Sequence, residues 1–316
     1  MKIKVAQDGT GAYRKIKDAL HAAENNQNIP VVIEIGPGVY RERLEIKQPF
    51  ITMIGAGNDQ TKIVYQDYAY DMLPIGEKRG TFRSPSVFID THDFSAKGIT
   101  FANDAGQGDI VGQALAMYAD GDHLIFEDCR FEGYQDTLFT APLPLKEMQP
   151  GGFRGPKEFA PRENGRHLYK NCYIEGNIDY IFGGATAYFE NCELFTIRRE
   201  NQSICGYVTA ASTLECQKYG YVFNHCRFTS DCPEESVYLG RPWRNYAKVV
   251  VMNSELGPHI CKDGWHDWNK KDAWDTVFFA EYNNSGEGAS GERAPFVKML
   301  TQDEASEYTM ENVLGF

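Results

Sequence analysis

The sequence predicts an all-β solenoid, a parallel β-helix built from stacked rungs. One observation is a recurring segment in which alternating apolar residues lead to a small polar residue, often followed by a cysteine, and then to a further strand. It occurs as LIFEDCRFEG (124 to 133), HLYKNCYIEG (167 to 176), AYFENCELFT (187 to 196) and YVFNHCRFTS (221 to 230), and VVVMNSELG (249 to 257) repeats it with Ser254 in the cysteine's place. A second is the spacing: Cys129, Cys172, Cys192 and Cys226 follow one another at 43, 20 and 34 residues, a fixed core with variable excursions. The third is the period. Apolar residues alternate every second position among β-branched, aromatic and Gly-rich surroundings, which excludes a repeat of helix pairs.

Each element follows from that reading. A rung cannot bury its apolar face alone, so stacking must make the core, with the four cysteines as an inward ladder of small residues. Looser rungs precede them at FITMIGAG (50 to 57) and FSAKGITFAND (94 to 104). The first rung is an open edge that needs a cover, and YRKIKDALHAAEN (13 to 25) supplies a helix whose Ile16, Ala19, Leu20 and Ala23 form one apolar stripe. After about residue 275 the chain is polar and irregular, with GEGASGERAP at 286 to 295, and reads as an extended tail along the outside. Two long excursions, 65 to 86 and 141 to 165, are candidate cleft walls, because stretches of that length in a compact fold are usually functional. No domain boundary is evident, so residues 1–316 read as a single unit.

Composition narrows the function. The 316 residues are 42% hydrophobic and 24% charged, with a formal net charge of −12 and scattered Lys and Arg, which argues against a nucleic-acid partner. An anionic polymer would also be repelled unless its charges were masked as esters or met by basic residues in a cleft. No apolar run approaches the ~18 residues of a membrane span, and the first residues, MKIKVAQDGTG, lack the apolar stretch of a signal peptide. The expectation is a monomeric, membrane-free protein, cytoplasmic if Met1 is the native start and secreted if a leader has been removed. Eight cysteines without a CxxC pair or zinc spacing read as buried thiols rather than metal ligands.

The candidate chemistry lies where the repeat breaks. GYQDTLF (133 to 139) and GNIDYIFGG (176 to 184) each place an Asp three residues after a Gly, giving Asp136 and Asp179 at the same register in neighbouring rungs. At ~4.8 Å per rung the two carboxylates are predicted side by side on one outer face. A lone Asp beside Gly is usually a turn residue, but a register-matched pair is not explained that way. Two close carboxylates resist ionising together, so one holds a proton while the other stays charged. Gln113, in GQALAM (112 to 117) at the start of the preceding strand, and Gln135 are amide donors suited to an oxyanion. LGRPWRN (239 to 245) reads as a strand-like run with Arg241 and Trp243 on one side, the first able to hold a carboxylate and the second to face a sugar ring or a methyl group.

Taken in order, GQALAM, GYQDTLF, NIDYIFGG and LGRPW, with GTFRSPS near 80, FFAEYNNSGEG near 288 and AQDGTGAYRKIKDAL (6 to 20), resemble the signature blocks of the pectin methylesterase family over most of the chain. Tyr180 and Gly184 stand where many members have Phe and Asn. The resemblance implies a right-handed, single-stranded parallel β-helix that hydrolyses the C6 methyl ester of galacturonate units in pectin or oligogalacturonides, releasing methanol without a metal or organic cofactor. It implies Asp179 as nucleophile, Asp136 as general acid and base, Gln113 and Gln135 at the oxyanion, and Arg241 orienting Asp179. Trp243, Thr81, Phe139 and Phe182 are implied on the substrate side. The competing readings are another polysaccharide-active β-helix and a non-catalytic solenoid that uses Trp243 and Tyr180 as a sugar platform. An inverting glycosidase of the polygalacturonase kind would set its carboxylates ~6.5 to 9.5 Å apart. A pectate lyase would carry an acidic calcium cluster.

Overall fold

A computed structural model describes residues 1–24 and 29–316. Among them the strands form three parallel sheets that wind together as a β-helix, of 11, eight and seven strands. Sheet I runs from Lys2–Val5 to Val297–Met299, sheet II from Gly38–Tyr40 to Glu255–Leu256, and sheet III from Leu44–Ile46 to Val237–Gly240. No helix is long and apolar enough to cross a membrane among the described residues.

Each cysteine repeat is the corner between sheets I and II. The residue before the cysteine takes a left-handed conformation, with φ of 53° at Asp128, 54° at Asn171, 52° at Asn191, 53° at His225 and 51° at Asn253. Asn and Asp reach that region more easily than most residues, which explains the small polar residue in the repeat. Their amides also ladder between rungs: Asn171 donates to Asp128 at 3.2 Å and Asn191 to Asn171 at 2.8 Å. The turn sends the next side chain inward, so Cys129, Cys172, Cys192 and Cys226 are buried. Each thiol donates to a carbonyl of the preceding rung, at Ala96, Phe126, Tyr169 and Phe189, over 3.4 to 3.5 Å. Beside this ladder Phe126, Tyr169, Phe189 and Phe223 stack at 5.0, 4.7 and 4.4 Å, so every rung buries its ring against the next. Two cysteines depart from the buried reading: Cys216 is exposed and Cys232 partly so, because both lie on loops outside the rungs.

The N-terminal cover is a helix at Ile16–Ala23, with Ile16, Ala19, Leu20 and Ala23 all buried against the first strands. It is shorter than the 13–25 segment expected: Lys15 is the extended residue before it, and Asn25 lies outside the described residues. The extended C-terminal tail is corrected more substantially. Phe278–Tyr282 and Val297–Met299 continue sheet I, and helices at Gln302–Ala305 and Met310–Leu314 follow. Alternating apolar residues in FFAEY make it a strand, and Ala305, Val313 and Leu314 cover the outward residues Leu168, Tyr188, Val222 and Val250 of that sheet.

Candidate active site

Strand Leu138–Thr140 pairs with Ile178–Gly183 so that Leu138 meets Ile181 and Phe139 meets Phe182. The same offset carried back two residues aligns Asp136 with Asp179, and it also separates Cys129 from Cys172. The Asp136 N–H donates to the Ile178 carbonyl at 3.0 Å, fixing the two turns together. Both aspartates adopt left-handed backbone, φ 64° and 51°, and both line one cleft of about 420 Å³ on the outside of sheet III. Gly176 makes the turn possible, since a Cβ there would sit 2.3 Å from that of Tyr180 and 2.5 Å from the Tyr134 carbonyl. Towards the following strand the register slips between Ile178 and Ile181, and this bulge turns Asp179 out while Tyr180 points in.

Arg241 reaches back from beyond strand Val237–Gly240 and grips Asp179 through two parallel hydrogen bonds, Nε to Oδ1 at 2.9 Å and Nη2 to Oδ2 at 2.8 Å. Its guanidinium is sandwiched between Tyr207 and Trp268, 3.8 and 3.7 Å from the ring centroids. The aspartates are 8% and 7% exposed, which sets their proton affinities. Burial, and then the neighbouring Asp179 charge, hold Asp136 well above the usual carboxylate range. Burial also raises Asp179, but Arg241 opposes it through charge and hydrogen bonds. Of the two, Asp136 is the more strongly pushed towards its protonated form, while Arg241 favours the ionised form of Asp179.

Gln113 and Gln135 line the same cleft, and the Ala114 N–H joins their segments by donating to the Gln135 carbonyl at 3.2 Å. Gln113 is not at the start of a strand as expected. It lies in the connection between helix Gly108–Val111 and strand Met117–Asp120, where Gly112 turns the chain with φ 75°. Nor do Arg241 and Trp243 belong to a strand; both follow its last residue, Gly240, and Pro242 between them has no N–H to continue the ladder.

Thr81, Phe182 and Trp243 line the cleft. Phe139 does not: it is fully buried, with Phe82 at 5.0 Å and Phe182 at 4.8 Å, and so supports the floor rather than forming it. Tyr180 is also excluded as a sugar platform, because it points into the solenoid and its hydroxyl pairs with Thr196 at 3.2 Å. Both long excursions do form walls. The 65–86 segment contributes Thr81 and Phe82, the 141–165 segment Met148, Gln149, Gly152 and Phe153, and Glu77 bridges them by pairing with Arg83 and Arg154. Phe82, Phe153, Arg244, Trp268 and Lys270 were not anticipated. They sit on loops or, for Phe82, on a single 3-10 turn, none with a period to read, and only the shared cleft connects them.

A larger hollow of about 650 Å³ lies elsewhere, around Asp120 and Arg166, but most of its charged side chains pair with one another. Lys157 pairs with Asp90 and Asp120, Arg166 with Asp122, and His123 with Asp93. Among the described residues no group of three or more His, Cys, Asp or Glu side chains is placed to hold a metal ion.

The sequence profile of the Pectinesterase family matches residues 2–143 and 162–315, leaving out most of the 141–165 excursion. The chain is 33% identical over 314 residues to Pectinesterase 31 of Arabidopsis thaliana, spanning 97% of this chain and 90% of that protein. Its fold superposes on the pectin methylesterase from carrot with a TM-score of 0.83 and 29% identity, over 99% of this chain and 92% of the other. A pectin methylesterase in complex with a hexasaccharide gives a TM-score of 0.80 at 28% identity, covering 99% and 96%.

Proposed function

Because the chain belongs to the pectinesterase family and is a carboxylic ester hydrolase that removes methyl esters from pectin, we propose that Asp179 and Asp136 divide the chemistry between them. Ionised Asp179 attacks the C6 ester carbonyl of a galacturonate unit. The side-chain amides of Gln113 and Gln135 donate to the oxygen that becomes negative in the tetrahedral intermediate. Asp136 gives its proton to the departing methoxide, which leaves as methanol, and an acyl anhydride remains on Asp179. Asp136, now a carboxylate, takes a proton from the incoming water. The resulting hydroxide cleaves the anhydride, and the starting protonation of both aspartates is restored. Trp243, Phe182 and Thr81 hold the sugar chain against this pair.

The observation that carries the reading is the unequal environment of two aligned carboxylates: Arg241 grips Asp179 twice, while Asp136 has burial and a neighbouring negative charge. Neutral amides suit the oxyanion because they stabilise negative charge without neutralising the carboxylate nucleophile. The test is methanol release from highly methylated pectin and from defined methylated oligogalacturonides, with Asp179→Ala alongside. Release that survives unchanged in that variant overturns the assignment.

A further inference from the structure

The cleft is elongated along the solenoid axis, because successive rungs line it: Gln113 precedes strand Met117–Asp120, Asp136 precedes Leu138–Thr140, and Asp179 lies in Ile178–Gly183. A sugar chain seated there runs along the rungs. Past Asp179 the lining continues through Ala210, in strand Gly206–Ala211, and Arg241, after Val237–Gly240. It ends at Trp268, one rung further on, since nearby Trp265 bridges to Gly240. Towards the earlier rungs it stops at Thr81 and Phe82.

At that point the two long excursions meet. The 65–86 segment leads into strand Val87–Asp90 and the 141–165 segment leaves Thr140, so they rise from opposite ends of the sheet III strands. Phe82 of the first packs on Phe153 of the second at 5.9 Å. Gly155 lies against the Phe82 backbone so closely that a Cβ would stand 2.9 Å from the Phe82 carbonyl oxygen, an approach that glycine alone allows. Glu77 pairs with Arg83 on its own side and with Arg154 across the gap. Partly exposed ion pairs add little, so the apolar contact holds the junction. Beneath it Phe88 and Tyr118, the outward rings of two successive strands, are 3% and 0% exposed, which leaves no groove over those rungs. Beyond it a separate hollow of about 470 Å³, around Arg43 and Phe88, shares no lining residue with the catalytic cleft. The family profile omits 144–161, so one half of this junction lies outside the family pattern.

Resting on the hydrolase reading above, we infer that the junction of the two excursions is an end wall, which makes the enzyme de-esterify galacturonan at a chain terminus. Phe82 packs on Phe139, in the strand that follows Asp136, and on Tyr118 of the rung before, so the wall stands about one rung, ~4.8 Å, from the aspartates. The chain enters from the Trp268 side, and its last unit or the one behind it reaches Asp179. Esters further along stay out of reach until a chain-cleaving hydrolase or lyase exposes new ends.

The test takes a fully methylated galacturonate hexamer, isotope-labelled at its reducing end and digested until one ester is lost, and locates the free carboxylate by tandem mass spectrometry. In the wild type it lies on the last or penultimate unit of one end. At equal ester concentration long methylated pectin releases methanol about tenfold or more slowly than the hexamer, because its ends are scarce. Replacing 147–159 by a flexible Gly-Ser linker removes one half of the junction, spreads the free carboxylate to internal units and narrows the rate gap. Internal carboxylates or equal rates in the wild type, or an unchanged pattern in the folded linker variant, overturn the end wall. The wild-type pattern decides even if the variant fails to fold. Absence of methanol from both substrates instead removes the hydrolase reading, so the two failures are distinguishable.

Discussion

Arg241 clamps Asp179 through both carboxylate oxygens, and it is itself held flat between the rings of Tyr207 and Trp268. This arrangement fixes the direction of the nucleophile as well as its charge, because a planar fork between two rings cannot swing. Replacing Arg241 by Gln removes the charge that opposes the effect of burial on Asp179. The carboxylate then ionises at higher pH, so the acid limb of kcat moves upward, and kcat at neutral pH falls by about 10²-fold or more, as for loss of a preorganised electrostatic contact. The pH profile of methanol release checks it, and an unmoved acid limb rules out the clamp's electrostatic role.

Asp179→Asn and Asp136→Asn separate the two roles. The first removes the attacking group, and turnover falls to the level left by binding and the amide donors. The second leaves the nucleophile but no proton for methoxide, a loss of about 10²- to 10⁴-fold, the range of general acid catalysis. Esters with a better leaving group than methoxide recover the acylation step, read as the first-turnover burst of alcohol, in Asp136→Asn and not in Asp179→Asn. Equal recovery in both overturns the division of labour.

Asp136→Asn also has a stability consequence with a definite sign. Burial and Asp179 raise the folded-state proton affinity of Asp136 above the ordinary value of 3.8. A group raised in this way favours the folded state below its unfolded pKa and loses that contribution as pH rises through the folded one. Asn has no such dependence. Thermal unfolding of the variant and the wild type should therefore differ least near pH 3.8, with the variant gaining an advantage that grows towards neutrality. A constant difference across that range means that Asp136 is not perturbed in the folded protein.

Much of the fold was legible because a solenoid repeats its constraints. A left-handed polar residue followed by a small inward one, Asx and Cys in three of the repeats, marks the corner, and the Gly to Asp spacing, repeated at the same offset as the cysteines, locates the carboxylates. Legibility ended where contacts depend on loops. Phe139 alternates correctly with inward Leu138, so its outward direction was readable, but Phe82 from a distant excursion covers it and keeps it from the cleft. Tyr180 turns inward because the strand bulges at Asp179, and a bulge has no period to read. Trp268 and Lys270 come from a non-repeating connection after the last strand of sheet II, Glu255–Leu256, with Trp268 and Asn269 in left-handed backbone at 56° and 57°. The C-terminal tail was misread because its polar loops hid two short strands, which gain stability only by pairing with the rung before them.

The cysteine ladder yields the last prediction, about packing rather than chemistry. Cys226 donates to the Phe189 and Asn224 carbonyls at 3.4 Å, and its own N–H donates to the Ser254 hydroxyl one rung further on at 3.0 Å. Ser254 is itself buried and donates to the Met252 carbonyl at 2.8 Å, so this ladder already accepts a hydroxyl in the cysteine's place. Cys226→Ser should cost under about 1 kcal/mol, since its hydroxyl finds the same carbonyl acceptors and leaves no buried polar group unpaired. Cys226→Leu has the more apolar side chain yet should cost about 1–3 kcal/mol, because the corner is closed above and below by neighbouring rungs and cannot expand. Urea unfolding measures both. If leucine is tolerated better than serine, the corner is selected for hydrophobicity rather than for size and hydrogen bonding.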